Sequence, residues 1–172
     1  MKPKQPANKK LFIIRHAKSS WDHPHLSDFE RPLNGRGQKD APEMGKRLLD
    51  LGYQPGRIIS SPANRAITTA REFAIILGVE PKRIKQDADL YHAHASTMRR
   101  IIAQADDQHD TIMLFGHNPG LTYLIEDLCD FDLDNLPTCA ICGIEFQVSS
   151  WAEILHKDGI KFFYDFPKSK DH

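Results

Sequence analysis

The chain has 172 residues, a length typical of one domain. Its 23 Lys and Arg residues balance its 23 Asp and Glu residues, and this zero net charge argues against a nucleic-acid partner. No stretch approaches the roughly 20 apolar residues that span a bilayer, and the first residues lack the apolar segment of a secretory signal. Three Cys residues without framework spacing indicate reduced thiols. We therefore expect a cytoplasmic protein without a membrane partner.

Short apolar runs alternate with longer amphipathic runs between two polar ends. Residues 1–10 are predicted to form a flexible basic tail, residues 11–166 a single domain, and residues 167–172 a second flexible tail. Apolar runs predict strands at 11–14, 57–59, 111–115, 141–148 and 161–166, the last two forming a hairpin or meander. Near-helical spacing of apolar residues predicts helices at 38–51, 62–77, 96–105 and 120–128. In the 62–77 helix we expect a Ser N-cap and Pro62 at the first position.

Strands that alternate with helices indicate βαβ units. The predicted fold class is α/β, a three-layer sandwich with a mainly parallel central sheet and helices on both faces. Ligands of such sheets bind outside the carboxyl ends of the strands. The first strand runs into Arg15 and His16, the 111–115 strand runs into His117, and Arg65 lies in the first turn of the helix that follows strand 57–59. We expect these two Arg and two His side chains to converge.

The combination of these side chains is more informative than any one of them. A lone His after a strand is ordinarily a hydrogen-bonded structural residue, and a lone Arg is ordinarily solvated. A cation at the position of Arg65, near a helix N-terminus, is disfavoured by about 0.3–1 kcal/mol unless an anion lies between the guanidinium and the helix end. Guanidinium groups and helix N-termini both bind phosphate, and a neutral imidazole can attack phosphorus. The residues therefore indicate phosphoryl transfer through a His, with cations that stabilise the transferred group.

Four segments in chain order resemble the histidine phosphatase superfamily, which includes phosphoglycerate mutases and acid phosphatases. They are Arg15-His16-Ala17-Lys18-Ser19-Ser20-Trp21-Asp22, Arg31-Pro32-Leu33-Asn34-Gly35-Arg36-Gly37-Gln38, Ser60-Ser61-Pro62-Ala63-Asn64-Arg65-Ala66-Ile67-Thr68-Thr69-Ala70 and Gly116-His117-Asn118-Pro119-Gly120. The chain is most similar to the SixA branch, which acts on phosphohistidine in phosphorelay proteins. The resemblance implies a phosphoglycerate mutase-like fold and a phosphatase activity.

The resemblance also implies roles for single residues. His16 is expected to be the nucleophile that becomes phosphorylated, and Arg15, Arg65 and His117 are expected to bind the phosphoryl group. Ser19 and Asn118, from the first and last segments, are candidate substrate-binding residues. The implied partner is a phosphorylated protein of the phosphorelay type or a small phosphorylated substrate. We expect no metal or cofactor, because two Arg and a second His can form the anion cage, and we expect a monomer.

Two positions of the first segment depart from the family pattern. Ala17 replaces the usual Gly, so the backbone there cannot freely adopt a positive φ. Asp22 stands where the mutases often have Asn. Because a carboxylate near phosphate would repel it, we expect Asp22 to point away or to pair with Lys18 or Arg31.

The general acid is the largest departure. Larger family members have a Glu or Asp after the third strand, where this chain offers only Asp89 and His92 as candidates. General acid catalysis contributes typically about 10²–10⁴-fold. The imidazole of a phosphohistidine leaves more easily than an alcohol, because the pKa of its conjugate acid is only about 6.5. The sequence therefore favours a metal-independent phosphatase that hydrolyses phosphohistidine or another activated phosphate through a covalent phosphohistidine intermediate.

Two alternatives remain open. One is a phosphatase for a small phosphomonoester, with Asp89 or His92 as the acid. The other is a phospho-protein binding module that keeps the anion cage but turns over little. His23-x-His25 and His92-x-His94 have a spacing seen in metal sites but lie in loop-like sequence. Cys139-x-x-Cys142 lacks a fourth ligand at zinc spacing, and buried thiols are the favoured interpretation.

Overall fold

The computed structural model describes residues 8–168 of the chain. Helices and strands alternate along most of it, as the apolar runs predict. In chain order the elements are β1 (Asn8–Arg15), α1 (Gly35–Asp50), β2 (Arg57–Ser60), α2 (Asn64–Leu77), β3 (Lys85–Gln86), α3 (Ala95–Ala103), β4 (Thr111–Gly116), α4 (Gly120–Leu128), β5 (Ile141–Gln147) and β6 (Ile160–Asp165).

The strands form one mixed sheet in the order β3-β2-β4-β1-β5-β6. Neighbouring strands from β3 to β1 are parallel, whereas β5 is antiparallel to β1 and β6 is antiparallel to β5. The prediction of a mainly parallel α/β sheet with a late antiparallel pair is therefore confirmed. The parallel strands share one carboxyl edge, and β1 and β4 end there side by side because Arg15 pairs with Gly116.

Helices cover both faces of the sheet. Successive side chains of β1 point to opposite faces, so they pack into two separate apolar cores. Leu11 and Ile13 pack with residues of α3 and α4, such as Met98 and Leu124. Phe12 and Ile14 pack on the other face with residues of α1 and α2, such as Met44 and Phe73. All four β1 side chains are fully buried, and each burial stabilises the fold by about 1.5–3 kcal/mol. This double burial holds the end of β1 rigidly.

Several predicted boundaries are wrong by up to three residues, including the start of α1 at Gly35 rather than at 38 and the end of α3 at Ala103 rather than at 105. The first strand begins at Asn8, because the Lys10 N–H donates to the Asp110 carbonyl and extends the ladder, so residues 8–10 are not part of a tail. Residues 1–7 and 169–172, which carry the rest of the predicted tails, lie outside the described residues. α2 begins at Asn64 rather than at Pro62, and its N-cap Ala63 has no side-chain cap. The Ser61 hydroxyl instead accepts a hydrogen bond from the Ala63 N–H just before the helix.

The segment that leads into α1 packs against the chain that follows β1. The Asn34 side chain caps α1 by accepting from the Gly37 N–H at 2.9 Å, and the Asn34 N–H donates to the Lys18 carbonyl at 3.0 Å. Gly37 is required because a Cβ there would collide with the Lys18 carbonyl. This contact fixes the loop that follows β1 against the start of α1.

Within the described residues, none of the helices combines the length and the apolar character that a bilayer span requires.

Candidate active site

The ends of β1, β2 and β4 bring two of the predicted His residues together. The His16 N–H donates to the Gly116 carbonyl at 3.2 Å, and the Ser61 N–H donates to the Phe115 carbonyl at 3.1 Å. As a result the ring centroids of His16 and His117 are 5.3 Å apart. The convergence expected from parallel strand ends is therefore present.

A cavity of about 280 Å³ lies at this edge of the sheet. Among residues 8–168, its walls carry four cationic side chains and no carboxylate. The lining residues are Arg15, His16, Lys18, Ser19, Trp21, Arg31, Arg65, His92, His117, Asn118 and Thr138. All four residues predicted to handle a phosphoryl group line this one cavity, together with Ser19, Asn118 and His92.

His16 is held as a neutral imidazole with one free nitrogen. Its Nδ1 is 2.8 Å from the Ala17 carbonyl oxygen, which can only accept, so we assign the ring proton to Nδ1 and the lone pair to Nε2. Burial lowers the pKa of His16 to about 3, and nearby Arg15, Arg65 and Arg31 act in the same direction against the opposing backbone hydrogen bond. An unprotonated ring nitrogen inside a cationic cavity is available as a nucleophile at neutral pH.

Ala17 fits this position without the freedom of a glycine. The non-glycine residues with positive φ in the described chain are His92 and Cys139, so the backbone of Ala17 lies outside that region. The Ala17 N–H donates to Thr69 Oγ1 at 3.0 Å, and the Thr69 hydroxyl donates to the Arg65 carbonyl at 2.7 Å. The loop after the nucleophile is therefore tied to the first turn of α2, where Arg65 originates.

His117 is oriented by Ser61. The two side chains join at 2.8 Å through Nε2 and Oγ, and Oγ already accepts from the Ala63 N–H. We infer that the Ser61 hydroxyl donates its hydrogen bond to Nε2, so the ring proton of His117 is on Nδ1. That atom is buried and has no hydrogen-bond partner among the described residues. Burial, followed by the proximity of His16 and of the Arg65 guanidinium, lowers the pKa of His117 to about 3.

Asp28 connects four side chains of the site and was not identified from the sequence. Arg65 donates to its backbone carbonyl at 2.6 Å and to its Oδ2 at 2.9 Å, and Arg31 donates to its Oδ1 at 3.0 Å. The Tyr91 hydroxyl also donates to Oδ2, and His92 Nε2 is 3.7 Å from it. Partial burial raises the pKa of Asp28, but the hydrogen bonds from Tyr91, Arg31 and Arg65 outweigh it and hold that pKa below its usual range.

Arg31 is a further cation of the cavity whose role the sequence reasoning missed. Its guanidinium donates to Ser19 Oγ at 2.6 Å and to the Ser20 carbonyl at 3.0 Å, and it stacks on the Trp21 ring at 3.3 Å. Its position beside Pro32-Leu33, within a recognised segment, was the available signal. The expected pairing of Arg31 with Asp22 is absent, because Arg31 pairs with Asp28. Asp22 is exposed and has no ion pair within residues 8–168.

The other predicted substrate-binding residues have different surroundings. Ser19 lines the cavity and accepts from Arg31. Asn118 also lines it, but its amide donates to Asn135 and Leu136 and its oxygen accepts from Thr122, so it braces the neighbouring loop.

The two candidates for the general acid are separated by the structure. Asp89 is exposed on the segment that follows β3 and does not line the cavity. His92 lines the cavity. The cavity therefore offers His92, and not Asp89, as a possible proton donor.

Potential metal ligands are scattered in the described part of the chain. No group of three or more His, Cys, Asp or Glu side chains within residues 8–168 is placed to hold a metal ion. Cys129, Cys139 and Cys142 are free and buried, as predicted. Burial raises the pKa of Cys129 to about 11 and that of Cys142 to about 12, so these thiols remain protonated.

This chain resembles known proteins both in sequence and in structure. A chloroplastic protein of Arabidopsis thaliana with an uncharacterised function is 29% identical over 165 residues, which are 91% of this chain and 75% of that protein. The structure of a candidate phosphohistidine phosphatase SixA from Nakamurella multipartitia matches with a TM-score of 0.82 at 17% identity, covering 96% of this chain and all of that one. The structure of a protein histidine phosphatase SixA in complex with tungstate matches with a TM-score of 0.77 at 22% identity, covering 92% and 97%.

The fold and the cationic cavity around two His residues define a class of enzymes that handle phosphoryl groups. The sequence pattern of the histidine phosphatase superfamily (branch 1) matches residues 11–95. This part of the chain carries the pattern of that superfamily, and the sheet has the phosphoglycerate mutase-like α/β arrangement of the similar structures. These comparisons support a phosphatase.

Proposed function

We propose that the protein hydrolyses phosphohistidine, or another activated phosphate, through a covalent phosphohistidine at His16. The observation that carries this proposal is the free Nε2 of a neutral, buried His16 in a cavity shared with Arg15, Arg31, Arg65 and Lys18. The similar SixA structure binds tungstate, a tetrahedral oxyanion, which supports a phosphoryl group as the ligand of the corresponding cavity.

Two buried nitrogens support a tetrahedral anion in this cavity. Arg15 Nε and His117 Nδ1 are buried and have no hydrogen-bond partner among residues 8–168. Arg15 donates elsewhere only to the Leu136 carbonyl, at 2.9 Å. A phosphoryl group supplies the acceptor oxygens that such donors need, because an unpaired buried polar group costs about 1–3 kcal/mol.

The proposed reaction has two steps, formation and hydrolysis of a phosphohistidine at His16. In the first, the lone pair of His16 Nε2 forms a bond to phosphorus, and the bond from phosphorus to the leaving atom breaks with its electron pair on that atom. In the second, a water oxygen attacks phosphorus, the P–N bond breaks with its electron pair on Nε2, and one proton of the water is released. Guanidinium groups stabilise the charge on the phosphoryl oxygens in both steps, so the proposed reaction uses no metal.

The expected substrate preference follows from the leaving group. An imidazole leaves from phosphorus more readily than an alcohol does. Among the described residues, no Asp or Glu lines the cavity to serve as the general acid that an alcohol would need. We therefore expect a phosphohistidine peptide or phosphoramidate to be hydrolysed faster than a sugar phosphate such as glucose 6-phosphate. The reverse order would favour a small-molecule phosphomonoesterase instead.

Phosphoenzyme trapping tests the covalent step. The protein is mixed with a ³²P-labelled phosphohistidine peptide, quenched in acid or in base, and compared with a His16→Ala variant. We expect a label on the protein that is stable in base, labile in acid and absent from the variant. His156→Ala, which removes an exposed His outside the cavity, is the matched control and should be labelled like the wild type.

Absence of label in the wild type, with binding of the peptide retained, would support a phospho-protein binding module. A label that persists in His16→Ala would overturn the assignment of the nucleophile.

A further inference from the structure

A second cavity of about 620 Å³ adjoins the cationic one. Its walls combine small, aromatic and imidazole side chains. They are formed by His92, Ala93, His94, Ala95, Ser96, His117, Asn118, Pro119, Gly120 and Tyr123. His92, His117 and Asn118 line both cavities, so the two adjoin along a shared wall.

The two cavities differ in charge. The first carries four Lys or Arg side chains, whereas no Lys, Arg, Asp or Glu lines the second. A phosphoryl group bound in the first cavity would direct its leaving group into the second. An anionic leaving group would find no Lys or Arg there, whereas an uncharged flat group such as an imidazole or a phenol can pack against Tyr123 and Pro119.

Of the three residues at the junction, His92 alone is free to contact the leaving atom. Asn118 already makes hydrogen bonds through both of its side-chain atoms. His117 is bonded to Ser61 and, in the proposed function, contacts the phosphoryl group through its other nitrogen. His92 makes no side-chain hydrogen bond to residues 8–168, and its Nε2 lies 3.7 Å from Asp28 Oδ2.

The backbone of His92 adds an independent indication. Its φ is +56°, in the left-handed region that non-glycine residues rarely occupy and that costs about 1 kcal/mol or more. Its ring stacks on Tyr91 with centroids 4.0 Å apart, and its centroid is 6.1 Å from that of His117. A strained residue whose ring is held at the border of two cavities is typical of a functional position.

We propose that the second cavity receives an uncharged, flat leaving group and that His92 is the catalytic residue that donates a proton to the leaving atom. This inference rests on the proposed function. As the P–O or P–N bond breaks, its electron pair stays on the leaving atom and takes the proton from a His92 ring nitrogen. In the second step the neutral His92 accepts one proton from the attacking water and is restored.

His92→Gln tests the proton transfer, because Gln keeps a hydrogen-bond donor but cannot release a proton. The variant and the wild type are assayed with phenyl phosphate, whose phenol has a pKa of about 10, and with 4-nitrophenyl phosphate, whose nitro group stabilises the departing oxygen. We expect kcat/KM to fall about 10²-fold for phenyl phosphate and less than about tenfold for 4-nitrophenyl phosphate. His156→Gln, at an exposed site outside both cavities, is the matched control.

Equal losses for the two substrates would overturn the role of His92 while leaving the nucleophile in place. Failure of the proposed function gives a different result, in which the wild type releases no phosphate from the phosphohistidine peptide or His16→Ala hydrolyses both aryl phosphates at the wild-type rate. The phosphoenzyme trapping experiment, repeated with His92→Gln, should still label the protein, because His92 is not the covalent acceptor.

A change of charge tests the second cavity. Ser96→Lys adds a cation to its wall, and Gln147→Lys adds one at the opposite end of the sheet as a control. For Ser96→Lys we expect the ratio of kcat/KM for 4-carboxyphenyl phosphate to that for phenyl phosphate to rise several-fold, about fivefold. An unchanged ratio in Ser96→Lys, or an equal rise in Gln147→Lys, would contradict the assignment of this cavity to the leaving group.

Discussion

The two ends of the sheet carry cavities built from similar residue types, but only one has the features of a phosphoryl-transfer site. At the amino end of β2 a cavity of about 450 Å³ is lined by Arg57, Arg83 and His109 together with Glu80. It is larger than the 280 Å³ cavity at the carboxyl edge. Size and the presence of Arg and His therefore do not distinguish the two.

Burial and the balance of charge distinguish them. At the carboxyl edge, His16 and His117 are buried, and four cations line the cavity without a carboxylate. At the other end His109 is only half-buried, and Glu80 accompanies the two Arg side chains. An excess of desolvated positive charge around neutral imidazoles binds an anion and keeps an imidazole unprotonated, which favours the carboxyl edge over the other end as the place of the proposed phosphoryl transfer.

The largest expected effect concerns the cations of the two ends. Arg65→Ala removes a buried guanidinium from the phosphoryl cavity and should lower kcat/KM for a phosphohistidine peptide about 10²–10³-fold. Arg83→Ala removes an exposed one from the opposite end and should leave kcat/KM within about twofold. Steady-state kinetics measure both. Comparable losses in the two variants would erase the distinction between the ends.

A smaller effect is expected from the carboxylate that holds Arg65 and Arg31. Asp28→Asn weakens their charge-assisted hydrogen bonds, each worth about 1.5–3 kcal/mol, and should lower kcat/KM about tenfold. Because Asp28 positions these cations and does not contact the substrate, we expect Asp28→Glu to restore part of the activity. Asp50→Asn, on the exposed end of α1, is the control. Full activity in Asp28→Asn would show that Arg65 is positioned without this carboxylate.

The smallest effect concerns the pH dependence of stability. His16 and His117 have pKa values of about 3 in the folded protein, below the ordinary 6.5 of the unfolded chain. Between these values the unfolded chain binds more protons, so their contribution to the free energy of unfolding is fully present above pH 6.5 and is lost as the pH falls toward 3. We expect the urea midpoint to fall from about pH 7 to about pH 4, and to fall less steeply in His16→Gln.

The exposed His156→Gln variant is the reference for this measurement. If His16→Gln and the wild type lose stability in parallel as the pH is lowered, then the imidazole of His16 is not held neutral by burial.

Much of the fold and the centre of the site could be predicted because their signals are local. The runs that became β1 and β4 are apolar enough to be buried on both faces, and His16 and His117 follow them directly. The start of α2 was misplaced, because Ser61 has the residue type of an N-cap but its hydroxyl orients His117. A Ser hydroxyl can cap a helix or orient a neighbouring side chain, and the sequence does not show which side chain packs beside it.

The sequence by itself predicted the class of fold, the candidate nucleophile His16 and two of the four cations of the cavity, Arg15 and Arg65, because apolar periodicity and parallel strand ends place those residues in any sheet of this kind. Only the tertiary structure decided how Asp28 holds Arg31, Arg65 and Tyr91, which lie 3, 37 and 63 residues away along the chain. It also decided that His92, and not Asp89, lies at the junction of the two cavities. These contacts join irregular loops, whose conformation depends on packing rather than on a repeating pattern.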